Sequence, residues 1–206
     1  MKVLLVNGSS NRNGCTHVAL SEVARILNQE GVETEMFFIG NKPLSDCTDC
    51  GLCEKLGHCS IDDGVVNVLV EKAKSCDGFV FGSPVYYAHP TARLLAVLDR
   101  AFYSGGEHFA FKPAAAVLSA RRNGQVASMD VINKYFTINS MPVVSSTYWN
   151  HVFGAEAREV QTDVEGVNTM TNIGKNMAWL LKCIALGKAN GIPLPTNEKV
   201  YTNFVR

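Results

Sequence analysis

The sequence lacks an excess of charge of either sign. Its 206 residues contain 19 Lys and Arg against 19 Asp and Glu. A balanced chain has no strong field to hold nucleic-acid phosphates or an acidic membrane, so we expect a small-molecule partner, no nucleic acid and no membrane. Hydrophobic residues make up 47% and charged residues 18%, a composition that excludes a disordered or fibrous protein.

Long apolar runs are also missing. Runs such as Leu94–Leu98 and Ala114–Leu118 fall far short of the ~20 residues that a membrane-spanning helix needs. The apolar part of the N-terminus is too short for a signal peptide, and no small-residue cleavage site follows it. We therefore expect a cytoplasmic protein, whose seven cysteines serve metal, redox or core roles rather than a disulfide framework.

The chain pattern predicts an α/β fold. No repeat, low-complexity tract or Pro-rich linker interrupts it, which favours one domain over residues 1–206. The predicted strands are Val3–Val6, Thr34–Ile39, Gly78–Gly82, Ala114–Ser119 and Pro142–Ser145. The predicted helices are about Thr16–Leu27, Val65–Ala73, Thr91–Tyr103, Gln125–Ile138 and Gly166–Lys188. Alternation of this kind predicts a doubly wound, five-stranded parallel sheet, with a cysteine-rich insertion at residues 41–60 after the second strand.

The loop after the first strand suits a phosphate. In an open parallel sheet the ligand lies beyond the carboxyl ends of the strands. Here Ser9, Ser10 and Thr16 supply hydroxyl donors, and the following helix supplies backbone N–H groups and a favourable dipole. The loop has neither a Walker lysine nor a G-x-G-x-x-G motif, so a mononucleotide phosphate fits better than a dinucleotide. An ordinary helix cap is the alternative.

Two further loops follow the third and fourth strands. Residues 82–90 contain Pro84, Tyr86 and Tyr87, and stiff backbone beside aromatic faces suits a planar conjugated ring, although a rigid turn that covers the core has the same composition. Residues 119–125 could bind the polar edge of such a ring. The arginines Arg121 and Arg122 there are either an anion site for a second nucleotide or a solvated surface pair.

Four cysteines form a compact motif. Cys47, Cys50, Cys53 and Cys59 give the spacing C-x2-C-x2-C-x5-C. Closely spaced thiolates on one loop favour an iron-sulfur cubane, whereas structural zinc usually takes two separated C-x2-C pairs. Zinc and plain thiols remain the alternatives. Cys76 and Cys183 lie in or beside apolar helical segments and are interpreted as small buried hydrophobes.

The order of these motifs resembles a known family. A Gly-Ser-Ser loop, clustered cysteines and a Gly-Ser-Pro-Val-Tyr-Tyr loop follow one another, with Asp62-Asp63 after the last clustered cysteine and residues 148–150 reading Tyr-Trp-Asn. The chain resembles the flavodoxin-like NADPH-dependent FMN reductases and, within them, the iron-sulfur flavoproteins. One departure is Cys15, where relatives usually carry a polar residue such as Asn.

The resemblance implies non-covalent FMN, a 4Fe-4S cluster and a homodimer or homotetramer. The residues implied to bind FMN are Ser9, Ser10, Arg12, Asn13, Gly14, Cys15, Thr16, Pro84, Val85, Tyr86, Tyr87, Ser119, Ala120, Arg121 and Gly124. The residues implied to bind the cluster are Cys47, Cys50, Cys53 and Cys59.

The function that follows is an FMN-dependent oxidoreductase without a catalytic acid–base pair, because the flavin carries the chemistry. Electrons are expected to pass from NAD(P)H or a reduced ferredoxin-like carrier to an acceptor such as a quinone or a flavin, with or without the cluster as intermediary. One alternative is an electron carrier that docks to ferredoxin-like partners and has no small-molecule substrate. Another is a zinc-stapled flavin-binding or scaffold protein.

Overall fold

The computed structural model describes residues 1–202 and 204, and it is built on one central sheet. The strands are β1 (Lys2–Asn7), β2 (Glu33–Phe38), β3 (Gly78–Tyr86), β4 (His89–Pro90), β5 (Ala114–Ala120) and β6 (His151–Phe153). Five of them run parallel in the order β2-β1-β3-β5-β6, and the short β4 pairs antiparallel with the end of β3. The predicted doubly wound parallel sheet is confirmed.

Helices cover both faces of this sheet. They are α1 (Cys15–Gln29), α2 (Cys53–Leu56), α3 (Val66–Lys74), α4 (Ala92–Gly105), α5 (Gln125–Ile138) and α6 (Val164–Ala189). Short 3-10 helices lie at Gly106–His108 and Ala157–Thr162. The short helix α2, inside the cysteine-rich insertion, has no counterpart in the sequence prediction, because four residues are too few for a periodic pattern.

The strand β1 explains why its sequence is uniformly apolar. Successive side chains of a strand point to opposite faces. Leu4 and Val6 therefore enter the core beneath α3, α4 and α5, while Val3 and Leu5 enter the core beneath α1 and α6. All four side chains are fully buried, as a parallel strand covered on both faces requires.

The prediction for the fifth strand is wrong in position. The segment Pro142–Ser145 pairs with the sheet only through a bridge between Val143 and Ala114, and the strand at that edge is His151–Phe153, opposite Leu118–Ala120. Asn150 lies at the junction, where its carbonyl accepts from Leu118 N at 2.9 Å and its side chain accepts from Ser146 Oγ at 2.7 Å. Two short segments, Pro142–Ser145 and His151–Phe153, thus lie beside β5 at the side of the sheet. The second segment leads to the carboxyl ends of the strands.

Two smaller observations concern α6. At 26 residues it is the longest helix, yet in residues 1–202 and 204 no helix is both long and apolar enough to cross a membrane. Cys183 lies on its exposed side, so the prediction that this cysteine is buried is wrong, whereas Cys76 is buried as expected.

Close packing of α6 on α1 depends on Gly174. A Cβ atom at this position would lie 2.7 Å from the Cβ of Ile26 and 3.1 Å from the carbonyl oxygen of Val23. Gly187, on the same helix, has room for a Cβ, since the nearest heavy atom, Ile192 Cδ1, would be 3.6 Å away in ordinary van der Waals contact.

We predict that Gly174→Ala destabilises the protein by about 1 to 3 kcal/mol, because the added methyl overpacks the helix interface. The matched control is Gly187→Ala, which should be neutral or stabilise by up to about 1 kcal/mol, since Ala is the better helix former. Free energies of unfolding from denaturant titration of both variants decide the matter. Equal values for the two would contradict the assigned packing.

Candidate functional site

A cavity of about 460 Å³ lies at the carboxyl edge of the sheet. This volume falls within the ~300–1,000 Å³ typical of small-molecule sites. Predicted residues that line it are Ser9, Gly14, Cys15, Thr16, Pro84, Val85, Tyr86, Ser119, Ala120 and Arg121. Three loops that are distant in sequence therefore meet at the switch point between β1 and β3, as the sheet order predicts.

The loop after β1 is held by its own polar side chains. Asn7 is fully buried; its Oδ1 accepts from Ser9 N at 3.1 Å and its Nδ2 donates to the carbonyl of Arg12 at 3.1 Å. Ser9 Oγ in turn accepts from Asn11 N at 3.0 Å. The loop is thus shaped before any ligand binds. Asn7 and Asn11 were not predicted, although short amides that bond the backbone two residues on are typical of such turns.

The N-terminus of α1 borders the cavity without a cap. The N-cap residue is Gly14, which has no side chain to bond the first N–H groups of the helix, and the first turn contains no acidic residue. The first backbone bond of the helix runs from Val18 N to Gly14 O at 3.2 Å, so the N–H groups of residues 15–17 precede the hydrogen-bonded ladder. An open helix N-terminus with free donors is what a phosphate requires.

Two hydroxyls at the cavity wall bond to each other rather than to solvent. Thr16 Oγ1 lies 2.9 Å from Ser119 Oγ, and both residues are buried. This bond ties the start of α1 to the end of β5, across 103 residues of sequence. The two hydroxyls therefore fix this wall of the cavity in position.

Cys15 adds no negative charge to the end of the cavity beside α1. Its thiol donates to the carbonyl of Gly154 at 3.4 Å. Burial raises the pKa of the Cys15 thiol above its ordinary value, with the nearby Glu159 and Glu156 adding to the effect. The side chain thus stays a neutral thiol at pH 7, which an anionic ligand tolerates.

The hairpin formed by β3 and β4 makes the opposite wall. The Tyr86 hydroxyl lies 2.7 Å from Ser10 Oγ, a bond that joins this hairpin to the loop after β1 at the rim of the cavity. Tyr87 has φ of +61° and a side chain that is wholly exposed. In this structure Tyr86 lines the cavity and Tyr87 does not.

Five of the predicted residues lie outside the lining. They are Ser10, Arg12, Asn13, Tyr87 and Gly124. The Arg12 guanidinium lies over the ring of Phe38, 4.5 Å from its centroid. Gly124, with φ of +98°, lets the start of α5 approach the hairpin, because a Cβ there would lie 2.8 Å from Val85 Cγ1.

The segment Gly154–Ala157 lines the cavity and was missed by sequence analysis. It follows β6, so a correct position for the last strand would have identified it by the carboxyl-edge rule. The Glu159 carboxylate accepts from the N–H groups of Ala155 at 2.7 Å and Glu156 at 3.1 Å. These backbone bonds hold the pKa of the Glu159 carboxyl below its ordinary value, and the segment is fixed by a permanent charge.

A second, smaller cavity of about 120 Å³ lies in the insertion. Cys47, Cys50, Cys53 and Cys59 all line it, together with Arg100 and Tyr103, and all four thiols are free. The Ser60 hydroxyl, 3.4 Å from Cys50 Sγ, lowers the pKa of that thiol. Within residues 1–202 and 204, no three His, Cys, Asp or Glu side chains are grouped closely enough for a single metal ion. The volume of this cavity exceeds the ~10–15 Å³ that one buried water needs, so there is room beside the four thiols for a larger group.

Comparison with known proteins shows the family to which the chain belongs. The family described as NADPH-dependent FMN reductase matches residues 1–156. The chain is 32% identical to an iron-sulfur flavoprotein of Methanocaldococcus jannaschii, over 89% of this chain and 99% of the relative. It is 27% identical to an iron-sulfur flavoprotein of Methanosarcina thermophila, over 89% of this chain and 97% of the relative.

Solved structures are similar in fold. A flavodoxin from the domain Archaea has a TM-score of 0.61 at 13% identity and covers 88% of this chain and 99% of its own. The apo form of an NADH:FMN oxidoreductase has a TM-score of 0.63 at 16% identity and covers 87% of this chain and 89% of its own. The flavodoxin-like fold is therefore confirmed.

The open end of α1 leads to a prediction about charge. Cys15→Asp should weaken the binding of FMN at least tenfold, about 1.4 kcal/mol. Like charges roughly 4 Å apart near a protein surface repel by about 4 kcal/mol, so a carboxylate there opposes the phosphate. Calorimetric titration measures the affinity for FMN and for riboflavin, which lacks the phosphate. The comparison distinguishes repulsion of the phosphate from a change in the shape of the site. Riboflavin affinity should stay within about twofold, because the ring site is untouched.

The neutral control is Cys15→Asn, which matches Asp in shape and should retain FMN affinity to within about threefold. An equal loss for FMN and riboflavin in the Asp variant would contradict a phosphate at this helix end.

Proposed function

Because the chain belongs to the NADPH-dependent FMN reductase family, and within it to the iron-sulfur flavoproteins, we propose that FMN binds in the cavity at the carboxyl edge. The observation that carries the proposal is the meeting of an uncapped helix N-terminus with an aromatic hairpin in one cavity. The phosphate then lies on the loop after β1, and the isoalloxazine ring lies between Pro84–Tyr86 and Ser119–Arg121.

The protein's own part in this proposal is binding and orientation. The dipole of α1 and its free N–H groups hold the phosphate, and the neutral Cys15 thiol adds no further negative charge to those of the nearby Glu156 and Glu159. Pro84 and Tyr86 form a stiff wall for the ring, while the bond from Tyr86 to Ser10 joins the hairpin to the loop after β1. Arg121 places a cation at the cavity edge. When bound, FMN supplies the hydride and electron-transfer chemistry.

The second cavity is proposed to hold a 4Fe-4S cluster on Cys47, Cys50, Cys53 and Cys59. Support comes from the motif spacing, from four free thiols around one cavity, and from relatives named iron-sulfur flavoprotein. Zinc has less support, because structural zinc usually takes two separated C-x2-C pairs. A cluster lets the protein pass electrons onward from the flavin.

The proposed reaction is the transfer of electrons from NAD(P)H, or from a reduced carrier, to an acceptor such as a quinone or a flavin. The single domain, the cytoplasmic location and the homo-oligomeric state all stay predictions. An electron carrier that docks to ferredoxin-like partners is the second candidate function. The hydrogen bonds around the cavity are compatible with either function.

Turnover distinguishes the two. The FMN-loaded protein, mixed anaerobically with NADPH or NADH, should bleach its flavin absorbance within seconds and oxidise NAD(P)H continuously once a quinone is added. Flavin that is not reduced by either nucleotide, yet is reduced rapidly by reduced ferredoxin, would reject the reductase and favour the carrier.

Metal analysis tests the cluster. Protein prepared anaerobically with iron and sulfide should contain about four irons and four sulfides per chain, the content of a cubane held by four thiolates. Cys59→Ala should lower that content strongly, because it removes a ligand. The exposed Cys183 gives the matched control, Cys183→Ala, which should leave iron unchanged. Native protein with full flavin and no iron would reject the cluster and leave the flavin proposal standing.

A further inference from the structure

Arg100 is a buried cation that binding of FMN does not use. It lies on α4 with 1% of its surface exposed, and it is the largest fully buried side chain in the described part of the chain. A buried charge is costly unless partners satisfy it. Its guanidinium borders the cysteine cavity, so its partners indicate what it does there.

All the side-chain bonds of Arg100 go to the insertion or to the residues that close it. It donates to the carbonyl oxygen of Ser45 at 3.2 Å, to the carbonyl of Ile61 and to the Asp63 carboxylate. Its Nε donates to Cys59 Sγ at 3.3 Å. One planar group therefore joins the beginning and the end of the insertion to α4, and also contacts one of the four sulfurs.

Cys59 is held at its backbone as well. Its N–H donates to Asn67 Oδ1 at 3.0 Å, and its carbonyl accepts from Asn67 Nδ2 at 3.0 Å. Cys59 is buried, whereas Cys50 is exposed, with its thiol 3.4 Å from the Ser60 hydroxyl of the same loop. The position of Cys59 is thus fixed before any metal binds.

Arg93 provides an internal comparison. It lies on the same helix and donates to the carbonyls of Asn41 and Lys42, at the start of the insertion. Arg93 is partly exposed and does not line the cysteine cavity. An arginine on α4 can therefore anchor the insertion without contacting a cysteine sulfur, so the contact of Arg100 with Cys59 Sγ is a separate feature.

We propose that Arg100 is the positioning residue of the cysteine cavity, and that its bond to Cys59 Sγ raises the reduction potential of the cluster held there. The inference rests on the proposed cluster. The potential of an iron-sulfur cluster depends on net charge and on hydrogen bonds to its sulfurs. A donor and a positive charge beside a thiolate stabilise the state with one more electron.

Asp63 offsets part of this charge and must be included in the test. Its Oδ1 accepts from Val65 N at 3.0 Å and Val66 N at 3.2 Å, so it also caps α3. Asp63→Asn keeps an oxygen for that cap. The double variant Arg100→Met with Asp63→Asn therefore removes the sulfur bond without changing the net charge or leaving a buried carboxylate unpaired.

An anaerobic redox titration of the cluster tests the potential. The double variant should show at least a tenfold fall in the equilibrium constant for reduction, about 59 mV for a one-electron couple. Arg100→Lys should restore part of the difference, because it keeps the charge near the sulfur. Arg93→Met should stay within twofold of the native value, and flavin content should remain native in every variant.

A second measurement needs no cluster. In cluster-free protein, hydrogen exchange of the peptide that contains Cys59 should become at least tenfold faster in the double variant, because the insertion loses its attachment to α4. Arg93→Met should speed exchange only near residues 41–44. Unchanged exchange at Cys59 in the double variant would overturn the positioning role.

The outcomes separate this inference from the proposed function. Native protein that takes up flavin but no iron would overturn both the cluster and the effect on its potential. Native protein with a cluster, and a double variant with the native potential, would overturn the role of Arg100 alone. A double variant that assembles no cluster while its flavin content stays native would support the positioning role. The redox titration would then be done on Arg100→Lys, and a native cluster potential in that variant would count against the inference.

Discussion

The cavity at the carboxyl edge depends on the close approach of two backbone segments, the loop after β1 and the end of the buried part of β3. Gly8 N donates to Gly82 O at 2.8 Å, and a Cβ on Gly8 would lie 2.8 Å from that same oxygen. A Cβ on Gly82 would lie 2.8 Å from Thr16 Cγ2. Only glycine at both positions lets the start of α1 lie against β3, and that contact creates the space at the carboxyl edge.

The same contact also places the helix that serves the cysteines. Thr91 Oγ1 donates to Gly8 O at 2.9 Å and accepts from Leu94 N at 3.1 Å, so the residue that caps α4 is fixed against the loop after β1. Farther along α4, Arg93 and Arg100 bind the insertion. In the described residues no side chain lines both cavities. The helix α4 begins against the loop after β1 and borders the cysteine cavity farther along.

The sheet and the insertion are stabilised by different forces. Apolar burial on both faces of β1 and β3 holds the sheet, so any sequence with the same pattern would give similar strands. The insertion buries few apolar side chains and depends on polar bonds from Arg93, Arg100 and Asn67. Breaking one partner of a buried ion pair typically costs about 3 to 5 kcal/mol, so the conformation of the cysteines is sensitive to single residues.

The sequence by itself determined the parallel sheet, the loops at its carboxyl edge and the cysteine motif, because each is written in the spacing of neighbouring residues. Only the tertiary structure decided which residues meet. Thr16 bonds Ser119 across 103 residues, and Arg100 bonds Cys59 across 41. The last strand was predicted too early in the chain, because Pro142–Ser145 and His151–Phe153 are both short and have similar local patterns. Only the pairing with β5 shows that His151–Phe153 is the strand. Such contacts depend on how whole helices and strands pack against one another, and the local periodicity of a sequence does not determine that packing.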